Sequence, residues 1–169
     1  MQLLRSISLL VLGVSAELFP GTNYTAGDKF DTLTTRSGNI NIHFHSLFVS
    51  PTTNNVYLVA EDDAYKGEFY FTSDKILMDT YGATAYVDVD GSLKFTNCSI
   101  PQGGITFGFA LEPGYPNIGT PLSFNGNSPI AYPYQNQDAV FFEPRVGPDT
   151  NDGLGFTIFA LGDFDRPRK

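Results

Sequence analysis

Hydrophobic and polar positions alternate through most of the chain after residue 16. In "NINIHFHSLFV" at residues 39–49, apolar Ile40, Ile42 and Phe44 alternate with polar residues that include two histidines. A period of two places successive side chains on opposite faces and predicts a strand. Similar runs recur between turn clusters of Gly, Pro, Asn and Asp, and they are NVYLVA, GEFYFT, KILMDT, GGITFGFAL, TPLSFNG, PIAYP, AVFFEP and GFTIFAL. With no helical periodicity after residue 16, the sequence predicts an all-β domain.

Two pairings of strands are predicted from this pattern. "ATAYVDVDGSLKFT" at residues 83–96 reads as a hairpin that turns at Asp90-Gly91, because Asp-Gly is a strong signal for a tight turn with positive φ at both central positions. The first strand, "KFDTLTT", and the last, "GFTIFAL", are expected to pair with each other and close the sheet, which would remove its edge strands.

Three stretches share a tyrosine-bearing strand, a turn and an aromatic strand, with Tyr57, Tyr86 and Tyr132 in equivalent places. A threefold array of hairpins in a chain of this length favours a β-trefoil-like barrel. Aromatic strands separated by polar turns are also common in β-sandwiches, which is the alternative. Fifteen phenylalanines and nine tyrosines can fill either core, since each buries roughly 150–250 Å².

Residues 1–16, "MQLLRSISLLVLGVSA", have the layout of a secretory signal peptide. Arg5 precedes an apolar run that ends in the small residues Ser15 and Ala16. The run is far shorter than the ~20 residues that span a bilayer. We therefore expect cleavage after Ala16, with residues 17–169 forming a single all-β domain that is secreted, without a membrane anchor.

The charge of the chain disfavours nucleic acid and anionic lipid as partners. The net charge is −8, and removal of the leader takes away one arginine and no acid, which gives −9. Both kinds of partner are negatively charged and would repel such a chain at long range.

Two Asn-x-Ser/Thr sequons, at Asn23 and Asn97, are candidate glycosylation sites in a secreted protein. The only cysteine, Cys98, lies inside the second sequon, so no disulfide within the chain is expected. We expect Cys98 to pack as a small buried hydrophobe, with an intermolecular bridge as the alternative. A glycan on Asn97 would instead place it close to the surface.

Candidate catalytic and metal sites are weak. His43 and His45 would share one face of the predicted strand, but a zinc site needs at least one further ligand, so we predict no metal. Asp88 and Asp90 do not continue into a calcium loop. The acids at residues 61–63 read as a solvated turn, and no nucleophile elbow is present. No cofactor is expected, and we predict that the protein is not an enzyme.

The segment "YPYQNQD" at residues 132–138 has the composition of a sugar-binding loop, in which an aromatic ring stacks on a sugar and polar side chains bind its hydroxyls. The candidate sugar-contacting residues are Tyr132, Tyr134, Gln135, Asn136 and Asp138. Carbohydrate binding by a lectin-like module is therefore an alternative function, and a secreted hydrolase is a third and weaker one.

The chain resembles the PhiA family of fungal cell-wall proteins over most of residues 17–169. An early element of that family matches at Arg36, Ser37, Ile42 and His43. A middle hairpin matches at Tyr86, Val87, Gly91, Leu93, Phe95 and Thr96, and a final strand matches approximately at Phe156, Phe159 and Ala160. The family carries several cysteines, one of them in a Cys-Pro pair where this chain has Tyr132-Pro133, so a family disulfide framework is absent here.

The resemblance implies a small secreted glycoprotein of the fungal cell wall with a structural or developmental role in conidiating cells and no enzymatic activity. Its partners would be wall polysaccharide or wall proteins. The sequence makes no prediction of the oligomeric state.

Overall fold

Fourteen short β-strands carry the fold in the part of the chain that the structure describes. The computed structural model describes residues 17–60, 63–114, 118–134, 137–143 and 152–162. The strands are β1 (Lys29–Thr35), β2 (Phe48–Val49), β3 (Val56–Tyr57), β4 (Tyr65–Lys66), β5 (Phe69–Phe71), β6 (Leu77–Asp79), β7 (Thr84–Val87), β8 (Leu93–Thr96), β9 (Phe109–Leu111), β10 (Thr120–Phe124), β11 (Ile130–Tyr134), β12 (Gln137–Phe141), β13 (Leu154–Gly155) and β14 (Thr157–Gly162). Within these ranges no helix is long and apolar enough to cross a membrane.

The strands form two antiparallel sheets. The larger sheet has the order β8-β7-β6-β5-β1-β14-β10-β9, and the smaller has the order β13-β11-β12-β3-β2-β4. The all-β prediction is confirmed, but the two sheets stack as a sandwich and do not close into a barrel, so the preference for a trefoil-like barrel is wrong. Isolated bridges from Asn55 to Lys94 and from Ser92 to Phe141 link the β7–β8 hairpin to the smaller sheet.

The predicted pairing of the first and last strands is confirmed. β1 and β14 are antiparallel in a register that runs from Phe30 opposite Gly162 to Thr35 opposite Thr157. Along β1 the buried residues Phe30, Thr32 and Thr34 alternate with more exposed ones, as the sequence pattern requires. This pair lies in the middle of the larger sheet, between β5 and β10, and joins its two halves instead of closing it.

The core between the sheets is mainly aromatic. Phe142, which follows β12 of the smaller sheet, has its ring centroid 5.6 Å from that of Phe109 and 6.0 Å from that of Phe124, both in the larger sheet. Full burial of one such ring stabilises the fold by about 1.5–3 kcal/mol. These contacts hold the two sheets together in a chain without a disulfide.

The three tyrosines that suggested a threefold repeat are not equivalent. Tyr57 and Tyr132 pack with Ala139 and Phe141 in a second, smaller cluster on the smaller sheet. Tyr86 belongs to β7 of the larger sheet. Similar local sequence patterns have therefore been placed in different sheets, which explains why no threefold symmetry arises.

The predicted hairpin around Asp90-Gly91 is present, with a wider turn than expected. Gly91 N–H donates to the Asp88 carbonyl at 2.9 Å, and Asp88 N–H donates to the Ser92 carbonyl at 2.9 Å. Only Gly91, at φ 87°, has a positive φ in this turn, which is the pattern of a type I turn followed by a left-handed residue. A Cβ atom at this position would lie 2.6 Å from the Glu143 carbonyl oxygen. Both the positive φ and this close approach therefore require glycine at position 91.

Candidate functional site

An open cavity lies where the connection from β1 to β2 meets the β11–β12 hairpin. It is lined by Ile40, Asn41, His43, His45, Val59, Pro133 and Asp138 and has a volume of about 790 Å³. We call it the end cavity. It brings together both candidate histidines and one candidate sugar-contacting residue, Asp138, from segments that are far apart in the sequence.

The loop that carries the histidines is not the strand that its alternation predicts. The Asn39 carbonyl accepts hydrogen bonds from Ile42 N–H at 3.3 Å and His43 N–H at 3.0 Å, and the Asn39 side chain accepts one from Asn41 N–H at 2.9 Å. Asparagine favours such turns because its side chain satisfies nearby backbone donors. The strand predicted over residues 39–49 is therefore wrong except at its end, where β2 covers Phe48–Val49.

Thr34 of β1 anchors this loop. Its N–H donates to the His45 carbonyl at 2.8 Å, and its carbonyl accepts from Phe44 N–H at 2.8 Å. Its hydroxyl donates to the Ile42 carbonyl and accepts from His45 N–H. Since Thr34 and Ile42 are both 0% exposed, the loop is fixed to the core on one side, while Ile40, Asn41, His43 and His45 line the cavity.

Phe44 is held in a conformation that side chains rarely adopt. Its φ is 66°, in the left-handed region, which is unfavourable by roughly 1–2 kcal/mol for an L-residue with a side chain. Its ring is 67% exposed and lies with its centroid 3.7 Å from that of His43. The hydrogen bonds of Thr34 to Phe44 and His45 hold the backbone in this conformation.

Hydrogen bonds define the proton positions on both imidazoles. Arg36 N–H donates to His43 Nδ1 at 3.1 Å, so a neutral His43 carries its proton on Nε2. His45 Nε2 lies 3.0 Å from the Ile40 carbonyl oxygen, which can only accept, so a neutral His45 has a free lone pair on Nδ1. The pair therefore offers one donor and one acceptor beyond the bonds that orient the rings.

Asp138 supplies an acidic side chain to the end cavity. It stands opposite Pro133 in the β11–β12 hairpin, on the same face of β12 as the core residue Val140. Burial raises the pKa of its carboxyl, and the positive charge of His45 offsets this only in part. Within residues 17–60, 63–114, 118–134, 137–143 and 152–162, no donor hydrogen-bonds to this carboxylate. Such a group is a candidate for binding a ligand.

A metal ion has no set of ligands in this part of the molecule. The described residues contain no group of three or more His, Cys, Asp or Glu side chains placed to hold one. His43, His45 and Asp138 line one cavity but are not placed as such a group. Of the acidic cluster at residues 61–63, Glu61 and Asp62 lie outside the described residues, and Asp63 accepts a hydrogen bond from Ser50 at 3.3 Å.

The remaining sugar-contacting candidates do not join the cavity. Tyr132 is 3% exposed, and its ring packs edge-on against Phe141 at 5.0 Å, so the prediction that it stacks on a sugar is wrong for this conformation. Gly153 also covers the ring closely. The backbone of Tyr134 pairs with Gln137 in the β11–β12 hairpin. The Tyr134 side chain, together with Gln135 and Asn136, lies outside what the structure describes.

Both sequon asparagines are exposed, as glycosylation requires. Asn23 precedes the buried Tyr24, and Asn97 follows the last residue of β8. The expectation that Cys98 is buried is wrong, because its free thiol is exposed. Its place directly after the end of β8, outside the core, accounts for this.

Comparison of the chain with protein-family models, with curated proteins and with solved structures finds no match in any of the three. The chemistry of the end cavity is therefore the basis for a functional argument. Sequence reasoning missed the contributions of Ile40 and Val59. The one available signal was that the histidine loop begins with the turn-forming sequence Ser37-Gly38-Asn39.

Proposed function

We propose that this protein is a secreted, non-enzymatic protein of the fungal cell wall that binds wall polysaccharide in the end cavity. The observation that carries the binding part is the meeting of His43, His45 and Asp138 in one open depression. The leader-like residues 1–16, the two sequons and the resemblance to the PhiA family support the wall location. A structural or developmental role, such as one in conidiating cells, fits a module that holds polysaccharide without cleaving it.

The end cavity has the mixed chemistry that a sugar ring needs. A sugar presents hydroxyl groups around its edge and C–H groups on its faces, so its site combines fixed polar groups with an apolar surface. The Asp138 carboxylate and His45 Nδ1 accept hydrogen bonds, and His43 Nε2 donates one. Apolar surface is supplied by Ile40 at 85% exposure and by Val59 at 45%.

Catalysis is less well supported by the same geometry. Hydrolysis of a glycosidic bond in most enzymes requires two carboxyl groups that flank the bond. Among the described residues that line the end cavity, Asp138 is the only acid. The proposal is therefore a binding site that recognises polysaccharide and leaves its bonds intact.

The test is a polysaccharide pull-down with the protein secreted from a yeast or filamentous fungal host. Insoluble β-glucan, chitin and immobilised mannan are incubated with the wild type and with the Ile40→Ala and Asp138→Asn variants. We expect the wild type to bind at least one of the three, and each variant to lose most of that binding. Fractionation of the producing cells is expected to place the protein in the wall and culture medium.

Two matched controls make the test specific. Ile118 is also exposed, at 50%, but lies outside the end cavity, so Ile118→Ala should bind like the wild type. Asp74 is an exposed acid in the β5–β6 turn, and Asp74→Asn should also leave binding unchanged. Absence of binding to all three polysaccharides, or equal losses in the control variants, would contradict the binding proposal. Finding the protein only in the cytosol, without glycans, would contradict the wall location.

A further inference from the structure

A second concavity lies away from the end cavity and is rich in tyrosine. Its lining includes Tyr65, Tyr81, Tyr86, Asn97, Cys98 and Ser99. We call it the tyrosine groove. Its volume of about 590 Å³ is within the range of roughly 300–1,000 Å³ that is usual for ligand sites. It shares no residue with the end cavity.

Tyr81 forms an exposed and rigid part of this groove. Its backbone N–H donates to Asp79 Oδ1 at 3.0 Å, and Ala83 N–H donates to the same oxygen at 2.7 Å. The Tyr65 hydroxyl donates to the other carboxylate oxygen, and the Tyr65 ring packs edge-on against Tyr81 at 4.6 Å. Asp79 is 0% exposed, whereas Tyr81 is 69% exposed. A buried carboxylate thus holds in place an aromatic ring whose surface faces outward.

The sequon asparagine Asn97 forms part of the wall of the same groove. It is exposed, and its Oδ1 atom lies 3.9 Å from where a side chain would begin at Gly82, the residue after Tyr81. The amide nitrogen that would carry a glycan belongs to this same side chain. A sugar attached there starts beside the Tyr81 turn, and Ser99 supplies the hydroxyl that the sequon needs.

We propose that an N-linked glycan on Asn97 lies in the tyrosine groove and packs its first sugar against Tyr81. This inference rests on the secretion that the proposed function assumes. In the attachment step, the Asn97 amide nitrogen forms a bond to C1 of the first N-acetylglucosamine of a polyprenyl-pyrophosphate oligosaccharide donor. The C1–O bond of the donor breaks, the amide nitrogen gives up one proton, and the polyprenyl pyrophosphate leaves.

The attached glycan is favoured over a free saccharide as the occupant of the groove. Because it is tethered at the groove wall, its effective concentration there is in the millimolar range or higher, so a free sugar competes poorly. The apolar face of a sugar ring covers exposed aromatic surface, which contributes to stability by removing that surface from water. The groove is thus a place where a modification stabilises the fold.

The experiment combines removal of the glycan with removal of the ring. Ser99→Ala abolishes the sequon and leaves Asn97 in place, whereas Ser99→Thr retains the sequon and serves as its matched control. Tyr81→Ala removes the exposed ring and is combined with each. Proteins are secreted from a yeast host, glycan occupancy is read by mass spectrometry, and the Tm of each protein is measured. Asn23→Gln, which removes the sequon that does not border the groove, is the second control.

The expected result is a coupling between sugar and ring. In the glycosylated Ser99→Thr background, Tyr81→Ala should lower Tm by roughly 2–4 °C more than in the Ser99→Ala background, which corresponds to about 1 kcal/mol. Trimming the glycan to one N-acetylglucosamine should retain the coupling, and complete enzymatic removal should abolish it. Alkylation of Cys98, which also lines the groove, should be severalfold faster without the glycan.

Two results would overturn the inference. One is a secreted protein without a glycan on Asn97, and the other is an equal effect of Tyr81→Ala in both backgrounds. Polysaccharide binding is measured on the same samples and depends on the end cavity, so it is expected to persist in all of them. Loss of the coupling with binding retained therefore contradicts this inference alone, and absence of binding in every sample contradicts the proposed function alone.

Discussion

The backbone N–H of Phe44 donates a 2.8 Å hydrogen bond to the carbonyl oxygen of Thr34, and in this arrangement Phe44 has a φ of 66°. Thr34 also binds both sides of the loop through its hydroxyl, which donates to the Ile42 carbonyl and accepts from His45 N–H. The geometry of the end cavity thus depends on a buried residue that does not line it.

Thr34→Val is expected to loosen the loop of residues 39–45. Valine has nearly the same shape but no hydroxyl, so it leaves the Ile42 carbonyl and the His45 N–H without this partner, at a loss of about 2 kcal/mol in the free energy of unfolding. Hydrogen exchange at the amides of Phe44 and His45 should become faster, and polysaccharide binding should weaken. Denaturant unfolding and exchange measured by NMR check the two effects.

Thr32→Val is the matched control for this substitution. Thr32 is also buried in β1, and its hydroxyl accepts a 3.0 Å hydrogen bond from Leu47 N–H, outside the cavity lining. Thr32→Val should lower the free energy of unfolding by about 1 kcal/mol and leave the hydrogen-exchange rates of the amides at residues 43–45 unchanged. Equal loosening of the loop in both variants would contradict the role given to Thr34.

Asp138→Asn is expected to increase stability at neutral pH while weakening polysaccharide binding. Since burial raises the pKa of this carboxyl, the native state binds its proton more tightly than the unfolded chain does. Wild-type stability therefore falls as the pH rises from 3.8, the ordinary pKa of the carboxyl, through its raised pKa. Asparagine does not titrate, so the stability of the variant does not fall for this reason. Denaturant unfolding at a series of pH values between 3 and 7 measures the difference, which should grow with pH. Asp74→Asn, at an exposed acid, should show no such growth.

Lys94→Met is expected to destabilise the β7–β8 hairpin. Lys94 Nζ lies 2.6 Å from Asp88 Oδ2, and the two side chains are 20% and 17% exposed. Burial alone would raise the pKa of Asp88, but the hydrogen bond and charge of Lys94 and the Val89 N–H lower it overall. Burial alone would lower the pKa of Lys94, but Asp88 and Asp90 raise it overall. Loss of this ion pair should lower the free energy of unfolding by about 1–3 kcal/mol.

The pH dependence of the Asp88–Lys94 pair has two limits. Its contribution is lost as pH falls below 3.8 through the lowered pKa of Asp88, and again as pH rises above 10.5 through the raised pKa of Lys94. The difference between wild type and Lys94→Met should therefore be largest between these limits. Lys29 Nζ lies 3.6 Å from Glu68 Oε2 in an exposed ion pair. Since such surface pairs contribute little, Lys29→Met should lower the free energy of unfolding by at most about 1 kcal/mol. A Lys94 effect no larger than that of Lys29 would contradict the prediction.

Tyr65→Phe is expected to lower the free energy of unfolding by roughly 1.5–3 kcal/mol at neutral pH, because it removes a hydrogen bond to the buried Asp79 carboxylate. Burial, that hydrogen bond and the charge of Asp79 all raise the pKa of Tyr65. The native state thus holds the phenolic proton more tightly than the unfolded chain does, so wild-type stability falls as pH rises above 10.0. The free energies of unfolding of wild type and Tyr65→Phe should therefore converge in that range. Absorbance titration of the phenolate and denaturant unfolding check both parts. Tyr70→Phe removes only a 3.5 Å contact with the Met78 sulfur and should have a small effect.

Local patterns predicted the strands that pair by simple alternation. The β1–β14 pair follows from two terminal runs with the same period, and the two strands around Ser73-Asp74 follow from their flanking apolar residues. The β7–β8 hairpin was recognised by Asp90-Gly91, although its turn type depends on the approach of Glu143 to Gly91, which is a tertiary contact. The two-sheet arrangement depends on how these hairpins pack, and the similar tyrosine patterns gave no information on that.

The candidate site was predictable only in part for the same reason. Ile40, Ile42 and Phe44 do alternate with polar residues, but only Ile42 is buried, whereas Ile40 and Phe44 are exposed. The reason is that hydrogen bonds to Thr34 hold this segment in a turn and not in a strand. The approach of Asp138 to His45 joins distant segments, and no local pattern indicates it. Composition singled out residues 132–138, of which Pro133 and Asp138 line the end cavity, but it could not distinguish the buried Tyr132 from Asp138.

The central position of β14 has a consequence for how the protein folds. Gly162 N–H donates to the Tyr24 hydroxyl at 2.8 Å across a sequence separation of 138 residues. Contacts of such high order form slowly, and a ribosome-bound or truncated chain that lacks β14 leaves β1 and β10 as two open edges prone to association. The larger sheet is therefore complete only once β14 has been synthesised and has paired with both β1 and β10.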